Sequence, residues 1–233
     1  MPVLSVENLC KTYPSFSLKN VSFQIEKGSI MGFVGRNGAG KTTTLKSLLN
    51  LVHPDSGTIK FFGLPLSENE DEIKQKIGYV VSSDGYYKKN KISQITKITK
   101  SFYDNWDEDA WNHYIEVFKL DPQKSPQQLS EGMKVKYSIS LALSHKAQFL
   151  ILDEPTSGLD PISRNELLDI FCQLRDKGIS ILFSSHITSD LDKCADCITY
   201  IKNGDILYSG KTSDIGMSLD DFMLNNEKEE IRV

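Results

Sequence analysis

Eight consecutive residues near the start of the chain have the make-up of an anion cradle. Gly35, Arg36, Asn37, Gly38, Ala39, Gly40, Lys41 and Thr42 follow the pattern G-x-x-x-x-G-K-[ST]. Glycines let backbone N–H groups curl around phosphate oxygens with no Cβ in the way. A helix starting at Lys41 would point its positive end at the same oxygens. Lys41 brings a mobile positive charge for the β and γ phosphates of a nucleotide, and the Thr42 hydroxyl suits a magnesium ion. The expected phosphate contacts are Asn37, Gly38, Ala39, Gly40, Lys41, Thr42 and Thr43. The plainer reading is a glycine turn that binds nothing. Its placement after an apolar strand and before a helix favours the cradle.

A second group lies in the later half of the chain. Phe149-Leu150-Ile151-Leu152 is an apolar strand that ends on Asp153 and Glu154. The carboxyl end of a parallel strand is where ligands sit in such sheets. Asp153 is the candidate to hold magnesium through its water, and Glu154 to polarise an attacking water as general base. A solvated acidic turn is the alternative. His186 follows another apolar strand, where its imidazole can bond a γ phosphate and the attacking water. His53, His113 and His145 lack such a placement and read as surface or boundary residues. Tyr13 lies beside Pro14 after the first strand; its ring either stacks on a purine or simply packs.

These residues need a scaffold, and the apolar periodicity outlines one. Strands are expected over 3–6, 21–25, 30–34, 58–61, 77–81, 149–153 and 179–184, with a closing pair at 197–201 and 205–208. Lys202-Asn203-Gly204 is a hairpin signal between that last pair. Helices are expected over 41–51, 131–144 and 161–176. Strands separated by helices of this length imply parallel pairing with right-handed crossovers. The stretch from 84 to 130 differs: it is crowded with aromatic and lysine residues at helical spacing, and reads as two helices, 92–103 and 108–119, of an inserted subdomain. The tail 225–233 is charged and expected to fray. Cys194 and Cys197 have a C-x-x-C spacing without further ligands, so they read as small buried residues where a helix meets a strand.

The whole chain bounds the possibilities. It has 233 residues, 39% of them apolar and 25% charged, with a net charge of −4. That composition supports a sizeable core and opposes disorder. An acidic balance opposes a role centred on gripping nucleic acid. No apolar run approaches the roughly 20 residues of a membrane span, and no secretory signal is visible, which points to the cytosol.

Together these residues resemble the nucleotide-binding subunit of ATP-binding cassette (ABC) transporters, over nearly the whole chain from Leu4 to about Gly210. The most specific element is Leu129-Ser130-Glu131-Gly132-Met133, which resembles the family's signature loop. Ser157-Gly158-Leu159-Asp160 resembles its D-loop and Ser185-His186 its switch histidine. Tyr13 falls where the family stacks adenine.

The resemblance implies an α/β fold: a P-loop NTPase (RecA-like) core with an antiparallel β subdomain and an inserted α-helical subdomain. In one nucleotide-binding domain spanning 1–233, the core would be 1–84 and 131–210, the helical part about 85–130, and 211–233 a short tail. It implies ATP and Mg²⁺, with Glu154, His186 and Lys41 catalytic and Thr42, Asp153 and Ser82 at the metal. Ser130, Gly132 and Asp160 would reach ATP across a head-to-tail dimer of nucleotide-binding domains. A multi-span membrane permease would be the partner, at the inner face of the cell membrane.

Two departures stand out. Ser82 occupies the position of a usual glutamine, with Asp84 nearby, and Glu131 and Met133 replace commoner glycine and glutamine in the signature loop. The acidic balance and the aromatic insert are similar to small bacterial exporters of peptides or drugs. Tyr86, Tyr87, Lys88 and Lys89 are either the membrane-subunit contact or a solvated loop. Alternatives are a soluble ABC-type ATPase acting on ribosomes or DNA, and a degenerate cassette that binds ATP without turning it over.

Overall fold

The computed structural model describes residues 1–81 and 89–227. Ser82, Asp84, Tyr86, Tyr87 and Lys88 lie outside the described residues, as do 228–233 of the charged tail. Lys89 is exposed in a turn.

Two sheets carry the chain. The smaller is antiparallel, in the order β2-β1-β4-β5, from β1 (Pro2–Tyr13), β2 (Phe16–Glu26), β4 (Ser56–Phe61) and β5 (Leu64–Pro65). The larger has six strands in the order β10-β9-β3-β8-β7-β6. These are β3 (Ile30–Val34), β6 (Ile77–Val81), β7 (Phe149–Asp153), β8 (Ser180–Ser185), β9 (Cys197–Lys202) and β10 (Asp205–Lys211). All pairs in it are parallel except β9 with β10. Asn203 and Gly204 turn that hairpin with φ of 50° and 82°, the backbone that Asn-Gly favours.

β3 and β8 are buried throughout, which is why they read as unbroken apolar runs. Successive residues of β3 feed opposite cores. Met31 and Phe33 join Leu45 and Leu48 of α1 (Lys41–Leu48) and the antiparallel sheet. Ile30 and Val34 join α5 (Glu131–Ser144), α6 (Pro161–Asp176) and α7 (Thr188–Cys194) on the other face. A third cluster holds α3 (Ile92–Lys100) and α4 (Glu108–Val117) against α5, through Ile92, Trp111, Leu120, Leu129 and Tyr137.

Several boundaries differ from the sequence expectation. β1 runs on to Tyr13 because Asn8 takes a left-handed φ of 51° and shifts the register between Val6 and Leu9, which breaks the alternation without ending the strand. α1 stops at Leu48, and Asn50 beyond it turns left-handed at φ 57°. α3 and α4 end at Lys100 and Val117, short of the expected 103 and 119. α2 (Glu70–Gln75), α7 and α8 (Leu219–Glu227) were not expected; α2 and α7 are short, and α2 buries only Ile73. The fraying expected from 225 onward does not hold for 225–227: the Glu227 carboxylate accepts from the Tyr200 hydroxyl at 2.8 Å, and the Asn226 carbonyl accepts from Lys202 Nζ at 2.9 Å.

His145 stands at the C-terminal boundary of α5 but is not a surface residue. It is 3% exposed, its ring stacks on Tyr103 at 3.7 Å, and its Nδ1 lies 3.2 Å from the Gln75 carbonyl. A carbonyl only accepts, so Nδ1 carries the proton. Cys194 is buried at the end of α7 and Cys197 half-buried at the start of β9, both as free thiols. Burial pushes the Cys194 thiol up to about 12. No described helix is long and apolar enough to cross a membrane.

Candidate nucleotide site

β3, β8 and β7 are neighbours, and their paired register brings Val34 beside Ser185 and Ser184 beside Asp153. Three loops therefore leave the sheet at one edge: 35–40, 154–160 and the turn at His186. They open on a cavity of about 590 Å³ lined by Phe16, Arg36, Asn37, Gly38, Gly40, Lys41, Thr42, Thr43, Glu154, Ser157 and His186.

The glycine loop has the shape its sequence requires. Gly38 and Gly40 have φ of 83° and 118°, and a Cβ on Gly38 would stand in open space. Gly40 also lies where a Cβ would meet Leu18 at 2.7 Å and Phe16 at 2.9 Å. The loop is braced from behind: Gly204 N–H donates to the Ala39 carbonyl at 3.0 Å, while the Gly204 carbonyl accepts from Lys19 N–H at 2.8 Å. No side chain caps the first turn of α1, so its N–H groups remain for an anion.

Lys41 is 5% exposed. Its Nζ donates to the Gly35 carbonyl at 2.7 Å and pairs with Glu154 Oε1 at 3.3 Å. Glu154 Oε2 lies 2.7 Å from His186 Nδ1, so this carboxylate joins the lysine to the histidine. With Nδ1 donating, Nε2 of His186 is left as an acceptor. Glu154 reaches both partners from a left-handed backbone, φ 50°, a strained conformation for glutamate.

Asp153 stands beside Thr42, with Oδ1 3.5 Å from the Thr42 hydroxyl. Ser184, which the sequence reading passed over, links the Asp153 carboxylate to the Glu154 backbone. Its hydroxyl donates to Asp153 Oδ1 at 2.7 Å and accepts from Glu154 N–H at 2.9 Å. A serine inside an apolar strand, one position before the strand's end, was the available signal. Burial, with Asp153 nearby, raises the Tyr79 hydroxyl above its usual range.

Tyr13 does not line the cavity. Phe16, paired with it across the tight turn between β1 and β2, does so instead. Tyr13 is 38% exposed, with Lys11 Nζ 5.8 Å from its ring centroid. Ser130, Gly132 and Asp160 are also absent from the lining. Ser130 caps α5 by accepting from Met133 N–H at 3.3 Å. Asp160 caps α6, accepting from Ile162 and Ser163 N–H at 3.0 Å each; the Ser163 hydroxyl and N–H hold its carboxyl below the usual range. The two caps are neighbours: a Cβ on Gly132 would lie 3.7 Å from both Leu159 and Ser163. Glu131 is exposed and paired to Lys134 at 2.6 Å.

The residues present suit a nucleoside triphosphate with a divalent cation. The cradle is open at Gly38, the helix end is uncapped, and two hydroxyl or carboxylate oxygens stand together at Thr42 and Asp153. Magnesium commonly takes one or two protein oxygens and completes its shell with phosphate and water. No cluster of three or more His, Cys, Asp or Glu occurs among the described residues, as a self-sufficient metal site would need.

Comparison with known proteins agrees with this arrangement. Residues 18–157 match the ABC transporter family, more than half of the chain. The bacitracin transport ATP-binding protein BcrA of Bacillus licheniformis is 35% identical over 209 residues, covering 88% of this chain and 68% of its own. The lantibiotic transport ATP-binding protein SrtF of Streptococcus pyogenes is 35% identical over 207 residues, covering 88% and 89%. A solved ATP-binding subunit of an ABC transporter superposes with a TM-score of 0.85 at 26% identity, over 96% of this chain and 98% of its own. A chain with this sheet, this phosphate cradle and these relatives belongs to the ABC transporter family, as an ATP-binding subunit that hydrolyses ATP.

Proposed function

We propose that this chain powers export of an antimicrobial peptide or related drug-like compound through a separate multi-span membrane subunit, to whose cytosolic face it binds. The similarity to proteins named for bacitracin and lantibiotic transport supports that cargo class. In this reading the described residues 89–130 belong to a helical subdomain, inserted between core segments 1–81 and 131–210 of one nucleotide-binding domain.

The observation that carries the catalytic reading is Glu154, placed between Lys41 and His186. The Gly38–Lys41 backbone and the α1 N-terminus bind the phosphates, with Asn37 and Thr43 at the edges. Phe16 supplies an aromatic face beside the loop, in the place expected of Tyr13. A phosphate oxygen that takes Lys41 Nζ releases Glu154 Oε1, which then accepts the proton of an attacking water. His186 holds the other carboxylate oxygen and fixes the direction of that base; its Nε2 accepts from the attacking water when the ring is neutral and donates to the γ phosphate when the ring carries both protons. Thr42 and Asp153 would hold magnesium, with Ser82 as a third candidate; the ion neutralises phosphate charge when bound. Ser184 keeps Asp153 and Glu154 in register.

Ser130, Gly132 and Asp160 crown two adjacent helix N-termini outside the cavity. In a head-to-tail dimer they close over the ATP of the partner nucleotide-binding domain, this chain or another, so association follows the γ phosphate and hydrolysis releases it. Steady-state ATP hydrolysis by Glu154→Gln tests the core of this reading. Turnover falls about 10²- to 10⁴-fold while ATP binding persists. Parental turnover in that variant removes Glu154 as the base.

A further inference from the structure

We propose that Arg164 is a positioning residue that couples the Leu159–Asp160 loop to the loop carrying His186, through Asp190. The proposal rests on the catalytic reading above and extends it to the flank of the site.

Arg164 lies in the first turn of α6. Its Nη2 donates to the Leu159 carbonyl at 3.3 Å, so the guanidinium holds the loop that precedes the helix. Its Nε faces Asp190 Oδ1 of α7 at 4.0 Å, the limit of an ion pair. Asp190 is 2% exposed. Arg164 Nε and Asp190 Oδ2 are both buried and, among the described residues, neither has a hydrogen-bond partner. A buried donor and a buried carboxylate that face each other unbonded stand at a cost, because each has lost water. An approach of about 1 Å would turn the parted pair into a charge-assisted hydrogen bond. A closed arrangement of the α6–α7 contact, beside the parted one the structure shows, would supply the two states that carrying coupling requires.

Both ends of this contact lead into the site. α7 begins at Thr188, two residues after His186, whose Nδ1 holds Glu154 at 2.7 Å. Leu159 and Ser163 lie beside Gly132, so the turn that caps α5 rests on the loop that Arg164 holds. A displacement at Ser130–Asp160 reaches Arg164 through the Leu159 carbonyl. It continues through Asp190 to the helix that follows His186, and ends at the orientation of Glu154. The fork of arginine suits this task, since one planar group serves two acceptors on different elements.

The test compares the full chain with Arg164→Lys and with the double variant Arg164→Met/Asp190→Leu. Thermal stability, ATP affinity by titration and kcat are measured for each. An apolar pair in place of a buried ion pair is commonly neutral or stabilising, so the double variant keeps its Tm. The expected result is a kcat lowered about tenfold in both variants, the scale of ordinary intramolecular coupling, with ATP affinity at the parental value. Parental kcat in a double variant that keeps its Tm shows that the pair serves only the fold, and overturns the proposal. So does parental kcat in Arg164→Lys, or a loss of ATP affinity that accounts for the lower rate. Glu154→Gln measured alongside separates the two ideas: if it leaves turnover intact the catalytic reading fails, whatever Arg164 does.

Discussion

The strand-end site and the helical insert are built on opposite principles. At the site, backbone carbonyls, N–H groups and short polar side chains fix one another: Lys41 to Gly35 and Glu154, Ser184 to Asp153 and to Glu154 N–H. The strained φ of Glu154 and the two left-handed glycines belong to that region. The insert coheres through large rings, Trp106 and Trp111 at 6.0 Å and Trp111 edge-on to Tyr137 at 6.1 Å. One region spends conformational freedom on direction; the other gathers buried area. Substitutions in the first should therefore change chemistry more than stability, and substitutions in the second the reverse.

Trp111→Ala gives the largest expected effect and the sharpest test of that contrast. It removes the centre of the third cluster and should lower unfolding free energy by about 3–5 kcal/mol in chemical denaturation. ATP affinity, measured below the unfolding transition, should hold; a parallel loss would erase the distinction between the regions.

The next effect lies where the insert meets the core, away from the nucleotide site. Burial pushes the His145 imidazole down to about 4, opposed by its bond to the Gln75 carbonyl, against an unfolded value near 6.5. The unfolded chain thus binds the extra proton first. The neutral ring's contribution is complete above about pH 6.5 and is lost as pH falls toward 4, up to about 3 kcal/mol. His145→Phe keeps a ring against Tyr103 and should flatten that slope in denaturation series between pH 7 and pH 5.

At the site, Ser184→Ala leaves Glu154 N–H and Asp153 Oδ1 without this partner. A stability loss of about 1–3 kcal/mol is expected, accompanied by reduced turnover in an ATPase assay. Unchanged turnover would show that the direction of Glu154 does not depend on this hydroxyl. The smallest effect belongs to Glu131→Gln. Its exposed pair with Lys134 should be worth less than about 0.5 kcal/mol by melting curves.

The same contrast explains what the sequence made legible. Residues 35–42 and 149–154 were readable because phosphate chemistry demands particular types at fixed spacing, and the central strands because burial on both faces leaves an unbroken apolar run. Glu131, a departure from the commoner glycine of the signature loop, pairs outward with Lys134. His145 was misread because polarity alone suggested the surface, and neither the Tyr103 ring nor the Gln75 carbonyl is near it in sequence. Phe16 displaced Tyr13 from the cavity wall because a tight turn, not proximity to a motif, decides which ring faces inward. α8 escaped notice because its anchors, Thr188–Asp220 and Tyr200–Glu227, join residues far apart in the chain.

The left-handed Glu154 sets selection for folding against selection for activity. Asparagine or glycine would occupy φ 50° with less strain, so the side chain that suits the backbone there is not the one that can accept a proton. Drift or engineering guided by stability alone would then be drawn toward removing the base first. A thermostabilised descendant of this protein that still bound ATP would be a natural place to find its engine stalled.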